Sequence, residues 1–231
     1  MKALTIRSRE DEQMDAIDLD GEAYASVLAD LSRVNRWTFT ASPVLAYLER
    51  AAASLPSFSL LDVGFGHGDI LRSVARWAAK RKIPARLSGV DLNARSADIA
   101  RAATPAAYAI SYRTGDYRAL PTNFDFVISS QVTHHMSDAQ LREFLQFMEA
   151  TARKGWLICD LHRHGLAYTG FPLLARLMGV HRIVREDGRL SIARSFRPEE
   201  WPPILADAGI APDTMRIVRR FPFRLCVERI R

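Results

Sequence analysis

The stretch that decides the fold is "LLDVGFGHGDIL", residues 60–71. It opens as a short continuous apolar run, the pattern of a strand buried on both faces of a sheet. It leads into "GDILRSVARWAAKRK" (68–82), where Ile70, Leu71, Val74 and Trp77 or Ala78 share one side of a helix. Between strand and helix lie Gly64, Gly66 and Gly68, at alternate positions, with Asp62 just ahead of them. Glycine permits positive φ and lets a ligand come close to the backbone. Tight strand-to-helix turns use glycine anyway, yet three in alternation behind an acid ask for more than a turn.

The pattern continues outward. "ARLSGVDL" (85–92), "AYAISYRTGD" (107–116), "FDFVISSQ" (124–131) and "WLICDLH" (156–162) read as further strands. Asn93 is placed to cap a helix through "ARSADIARAA", which Pro105 ends. Ser137 and Gln140 form a capping-box pair ahead of a helix lined by Leu141, Phe144, Leu145 and Met148, and Gly155 is expected to stop it. This alternation predicts an α/β fold, a doubly wound and mostly parallel sheet whose ligands sit outside the carboxyl ends of the strands.

On both flanks the alternation gives way. Residues 1–20 are polar and expected to be flexible. Residues 21–56 read as a helical cap of two helices, the second opening at Ser42 and Pro43. Beyond residue 165, "FPLLARLMGVHRIV" (171–184) reads as an inserted helix or lid, spanning about 165–195. "RPEEWPPILADAGI" (197–210) is another helix, and "DTMRIVRRFPFRLCVERI" (213–230) a C-terminal antiparallel hairpin turning near Pro222.

Hydrophobic residues make up 48% of 231, enough for a sizeable core. No apolar run approaches the ~18 residues of a membrane span, and "MKALTIRSREDEQMD" holds no apolar signal core. Cys159 and Cys226 lie in strand-like runs, consistent with buried free thiols in a cytoplasmic protein. The net charge is +6, with much of the excess arginine after residue 180. A basic surface attracts nucleic acid or acidic partners, but no nucleic-acid-binding motif accompanies it, so a solvated arginine-rich surface is the expectation.

The glycine spacing separates two ligand classes. A dinucleotide fingerprint places its third glycine at residue 69, which is Asp69, an acid that would repel pyrophosphate. The D-x-G-x-G-x-G pattern instead resembles the first motif of class I S-adenosylmethionine-dependent methyltransferases, with a Rossmann-like domain over residues 57–231. The likeness extends over about 59–160. It implies S-adenosyl-L-methionine as cofactor, leaving as S-adenosyl-L-homocysteine, held by Asp62, Gly64, Gly66 and Gly68. Asp91, followed by Leu92, matches the acid that meets the ribose hydroxyls. Asp116 matches the adenine-binding acid, with Tyr117 beside the ring. Ser130 and Gln131 fall near the methionine end. Stretches 33–37 ("RVNRW") and 160–179 are similar to the small methyltransferases associated with bacterial type III polyketide synthases. That likeness implies a small aromatic acceptor, phenolic, polyketide or quinol-like, within secondary metabolism.

Methyl transfer to oxygen or carbon requires alignment and removal of a proton. A phenol with a pKa of about 10 is mostly unionised at neutral pH, and an imidazole near 6.5 can take its proton as attack proceeds. His134 and His135, in "FDFVISSQVTHHM", sit just past a strand end. Pointing in different directions, one faces the acceptor while the other binds backbone. His162 is a rival base, and His164, Tyr168 and Trp37 are candidate substrate contacts. Trp37 and Phe39, with Leu173, Leu174, Leu177 and Met178, form an expected apolar roof. Two cysteines exclude a cysteine-rich zinc site, and the carboxylates near the four histidines have other assignments, so no metal is expected. The expected activity is O-methylation, favoured over C-methylation, of a small aromatic molecule. The alternatives are a non-catalytic cofactor-binding protein and a methyltransferase acting on tRNA or a small amine. A homodimer is compatible with either.

Overall fold

The computed structural model describes residues 4–16, 18–120 and 123–231. Its centre is a seven-stranded sheet of order β3-β2-β1-β4-β5-β7-β6. The strands are β1 (Phe58–Val63), β2 (Ala85–Asp91), β3 (Ile110–Thr114), β4 (Phe124–Ser130), β5 (Ala152–Leu161), β6 (Arg216–Arg220) and β7 (Arg224–Ile230). The first five pair in parallel, and β7 runs antiparallel to both β5 and β6. All six residues of β1 are buried, as its unbroken apolar run predicts for a central strand. The chain leaves β1 toward β2 on one side and reaches β4 on the other. The crevice at this reversal, at the carboxyl ends, is where such sheets hold ligands.

The helices follow the apolar periodicities. They are α1 (Gly21–Trp37), α2 (Ala41–Ala51), α3 (Asp69–Arg81), α4 (Ser96–Ala102), α5 (Asp138–Thr151), α6 (Gly165–Leu177), α7 (Arg182–Arg194) and α8 (Trp201–Asp207). Ile70, Leu71, Val74 and Ala78 of α3 are the buried ones. The capping box before α5 is formed: the Gln140 amide donates to Ser137 Oγ, and the Ser137 amide donates to Gln140 Oε1. A cap of this kind contributes about 1 kcal/mol.

Four local expectations change. Gly155 does not stop α5; it lies inside β5 with φ 153°, where an added Cβ would lie 2.2 Å from the carbonyl oxygen of Arg229. Close approach by β7, not helix termination, demands glycine there. Helix α2 opens at Ala41 with Thr40 as its cap, ahead of Ser42. Arg95, not Asn93, is the α4 cap; Asn93 Oδ1 instead accepts from the Arg95 amide in the preceding turn. The inserted segment is two helices, α6 and α7, parted at Gly179 with φ 62°.

The N-terminal segment, expected to be flexible, packs along α7. Leu4 is buried, and the Ser8 amide donates to the Ala193 carbonyl at 3.0 Å. Arg7 donates to the carbonyls of His134 and Met136 and stacks 4.1 Å over the ring of Phe196. Its polar character thus reflects buried polar partners elsewhere in the fold.

Candidate active site

A cavity of about 610 Å³ opens at the carboxyl ends of β1, β2 and β4 and runs beneath α1, α6 and α7. One wall is backbone. Gly64, Gly66 and Gly68 all have positive φ, at 77°, 51° and 79°. A Cβ on Gly64 would lie 2.4 Å from Val132 Cγ2, and one on Gly68 would lie 2.6 Å from the Tyr112 hydroxyl. The Gly64 amide donates to the Val90 carbonyl at 2.8 Å, and the Gly66 amide to Asp91 Oδ2 at 2.9 Å. The turn is therefore fastened to β2, and Asp91 is its clasp. The other Asp91 oxygen accepts from the Asn93 amide.

This end of the cavity is acidic. Asp62 is 1% exposed, and neither of its oxygens has a hydrogen-bond partner among the described residues. Burial drives its pKa well above the carboxylate range, and Asp69 and Asp91 add to the rise. Burial also raises Asp69 and Asp91. Asn35 relieves Asp69, donating to Oδ2 at 3.2 Å. The same Asn35 accepts from Gln131 Nε2 at 2.9 Å, and Gln131 itself has φ 58°. His67 lines the turn with its pKa pushed down to about 4 by burial and by Arg72, which donates to its carbonyl. One buried and two half-buried acids with an unprotonated imidazole suit a cationic ligand bearing hydroxyls and have no place for phosphate.

The opposite end is built from side chains. His134 is fully enclosed, its Nδ1 2.7 Å from Asp160 Oδ1. Asp160 also accepts from the His134 amide at 3.1 Å and the Thr133 hydroxyl at 2.5 Å. Burial opposes the imidazolium, but the Asp160 and Glu12 carboxylates outweigh it and raise His134 to about 9. The imidazolium in turn holds Asp160 well below the usual carboxylate range despite its burial. His135 Nδ1 lies 2.8 Å from Asp15 Oδ2. The two rings lie 4.2 Å apart, and Glu12 sits against both, 3.5 Å from His134 Nε2 and 3.8 Å from His135 Nε2. Apolar residues join the two ends, among them Leu28, Leu31, Phe171, Leu174 and Phe223.

Of the candidate cofactor residues, Asp62, Gly64, Gly66, Asp91 and Leu92 line this cavity, as do Tyr117, Ser130 and Gln131. His134 and His135 line it together, and neither ring binds backbone as expected of one of them; carboxylates hold both. The remaining candidates lie elsewhere. Gly68 faces Tyr112 and starts α3. Asp116 accepts from the Arg118 amide and pairs with its guanidinium. Trp37 is 67% exposed at the end of α1. Tyr168 lies beneath the Arg189 guanidinium at 4.3 Å. His162 and His164 line a separate cleft with Arg197 and Arg219. The reason is where β5 ends: Asp160 lies within the strand and reaches His134, while His162, past its end at Leu161, bridges to Phe196. Of the expected roof, Leu174 lines the cavity, Met178 packs in the cluster with Val27 and Val34, and Phe39, Leu173 and Leu177 are exposed.

Sequence reasoning missed Glu12, Asp15, Asn35 and Asp160. A lone acid closing the apolar run "WLICD" was a usable signal for Asp160, since a charge there needs a partner. Glu12 and Asp15 sit in a polar run with no periodicity to mark them.

Residues 60–155 match the family model described as a methyltransferase domain. That stretch, from β1 into β5, is similar to a methyltransferase domain. The plantazolicin methyltransferase BpumL, solved with S-adenosylhomocysteine, superposes with a TM-score of 0.68 at 15% identity, over 92% of this chain and 92% of that one. Human N-acetylserotonin methyltransferase, solved with S-adenosylmethionine, gives 0.64 at 14% identity, over 92% of this chain and 56% of that one. A S-adenosylmethionine-dependent methyltransferase from Aquifex aeolicus gives 0.60 at 18% identity, over 88% and 96%. These likenesses are of fold. No curated protein matches the chain in sequence.

Proposed function

We propose that this chain uses S-adenosylmethionine to methylate a small aromatic acceptor, on oxygen in preference to carbon. The observation that carries the reading is one cavity with two unlike ends: a glycine-backbone and acidic end, and an imidazole–carboxylate end, joined by apolar wall. The acidic end fits the cofactor on this structure's own terms. The orphaned Asp62 carboxyl and the raised Asp69 and Asp91 would all be eased by a ligand carrying positive charge. Asp91 and Leu92 would meet the ribose, Tyr117 the adenine, and Gln131 with the Gly64–Gly66 backbone the methionine end.

When bound, the cofactor supplies a methyl group on a sulfonium, electrophile and leaving group together. The chain's residues do the rest. Leu28, Phe171 and Leu174 hold an apolar ring and exclude water. His135, the more open of the pair, receives the acceptor's proton, and Asp15, its partner at 2.8 Å, orients the ring and stabilises the imidazolium that forms. His134, kept charged by Asp160, stabilises the oxygen as it gains negative charge. Shared use of small aromatic substrates with polyketide-associated methyltransferases rests on the short stretches at 33–37 and 160–179.

Calorimetric titration with S-adenosylhomocysteine tests the cofactor, with micromolar affinity expected. Methyl transfer across a panel of phenols and quinols tests the acceptor. Binding without transfer to any of them would leave a non-catalytic cofactor-binding protein. Absence of binding by folded protein would end the reading altogether.

A further inference from the structure

We propose that Glu12, His134 and His135 hold a divalent first-row transition-metal ion at the imidazole end of the cavity. The histidines alone do not carry this in the sequence, where no metal is expected, because Glu12 lies some 120 residues from them. The structure brings one oxygen or nitrogen from each of the three within 4.8 Å of one another. The separations of 3.5 and 3.8 Å between the imidazole Nε2 atoms and the Glu12 oxygens are close to those of zinc ligands. Bonds of about 2.0–2.1 Å in a tetrahedral site place ligand atoms roughly 3.3 Å apart.

The orientation of the rings is the stronger argument. Both imidazoles turn Nδ1 to a carboxylate, His134 to Asp160 at 2.7 Å and His135 to Asp15 at 2.8 Å. An ionised carboxylate takes the ring N–H at Nδ1, so a neutral ring presents its lone pair at Nε2; on His134 the ion would displace the proton that the metal-free protein holds there. Both Nε2 atoms face the same buried carboxylate. Metal-binding histidines are held in this way by outer carboxylates, which fix the tautomer and strengthen the donor. Glu12 is 4% exposed, and its Oε1 has no hydrogen-bond partner among the described residues. A buried carboxylate needs a cation. The nearest guanidinium, Arg194, keeps Nε at 3.9 Å from it and donates instead to the carbonyls of His134, His135 and Glu10.

Two nitrogens and a carboxylate select zinc, ferrous iron or cobalt over magnesium and calcium, which prefer all-oxygen shells. All three residues line the cavity, so an ion here keeps a coordination position toward the acceptor. Resting on the proposed function, the ion would take over the roles given there to His134 and His135, binding the acceptor oxygen and lowering the pKa of its hydroxyl. The binding itself requires nothing of that reading.

The test uses the full chain, stripped with a chelator, titrated with Zn²⁺ by calorimetry and with Co²⁺ by visible absorption. The expected result is one tight equivalent, with a cobalt spectrum of low coordination number. Glu12→Gln, which keeps shape, should weaken zinc binding at least tenfold. Asp15→Asn should weaken it by about tenfold through the His135 ring. S-adenosylhomocysteine affinity is measured on every variant as the check on folding. Equal zinc uptake by wild type and Glu12→Gln overturns the site, as does a wild type that binds S-adenosylhomocysteine but no zinc. In that last case Glu12 shares a proton with His134 and the proposed function stands. Zinc binding without S-adenosylhomocysteine binding upholds the metal site and removes the cofactor reading.

Discussion

The two ends of the cavity are made by different means. At the glycine end, one contiguous stretch of five residues bends over a strand end, and much of the ligand-facing surface is main chain, with acids behind it. At the imidazole end, Glu12, Asp15, His134, His135 and Asp160 come from three separate segments, and every functional atom is on a side chain. The first end is fixed by local sterics. The second is fixed by burial of charges that stabilise one another. Substitutions should therefore fail differently at each: through backbone strain at one, through orphaned charge at the other.

The largest expected effect is at the charged end. Asp160→Ala leaves the enclosed His134 without its carboxylate, and breaking a buried pair costs about 3–5 kcal/mol. Urea denaturation should show that loss, with methyl transfer abolished. If stability is unchanged, the imidazole end is not held by charge, and the contrast between the ends disappears. Next is Gly64→Ala, which combines φ 77° with a methyl group 2.4 Å from Val132 Cγ2. Strain of this kind costs about 1–3 kcal/mol. S-adenosylhomocysteine affinity should fall by about tenfold or more, while Zn²⁺ affinity holds. Equal losses of both ligands would mean that the ends are one cooperative unit.

Asp91→Asn should have a smaller effect, about tenfold in cofactor affinity, from exchanging charged for neutral hydrogen bonds at the Gly66 clasp and the ribose. No change would mean that Asp91 serves only the turn. The smallest effect lies outside the cavity. Burial, His164 and Arg219 push His162 down to about 4 from 6.5. The unfolded chain therefore binds more protons than the fold between those values, and the stability present above pH 6.5 is lost as pH falls toward 4. His162→Asn should flatten the denaturation midpoint against pH across that window and leave neutral turnover unchanged. Lost turnover would return His162 to the mechanism.

The same contrast explains what the sequence discloses. The sheet, its order of strands and helices and the glycine turn are legible because period and spacing are local properties. Asp91 was readable because it ends a strand, and ends of parallel strands share one edge. His134 and His135 were readable as a pair on that edge, but not their carboxylates. Asp15 and Glu12 reach them across 120 or more residues, a distance over which spacing carries no signal. His162 and His164 share the edge in sequence yet not in space, because the chain turns away after Leu161 to begin α6. Asp116 follows the expected strand-end pattern, but Arg118, two residues on, holds its carboxylate at the rim.

The packed N-terminal segment has a consequence in time. Asp15, Met14 and Arg7 take polar partners at His135, Asp187 and Arg194, 120 to 187 residues further along. Contacts of such span close large loops, whose entropy is lost before the contact rewards it. The sheet and glycine turn can form from nearer neighbours. The imidazole end is complete only with residues 4–16 packed along α7. The charged end is thus the part of the cavity with the longest loops to close.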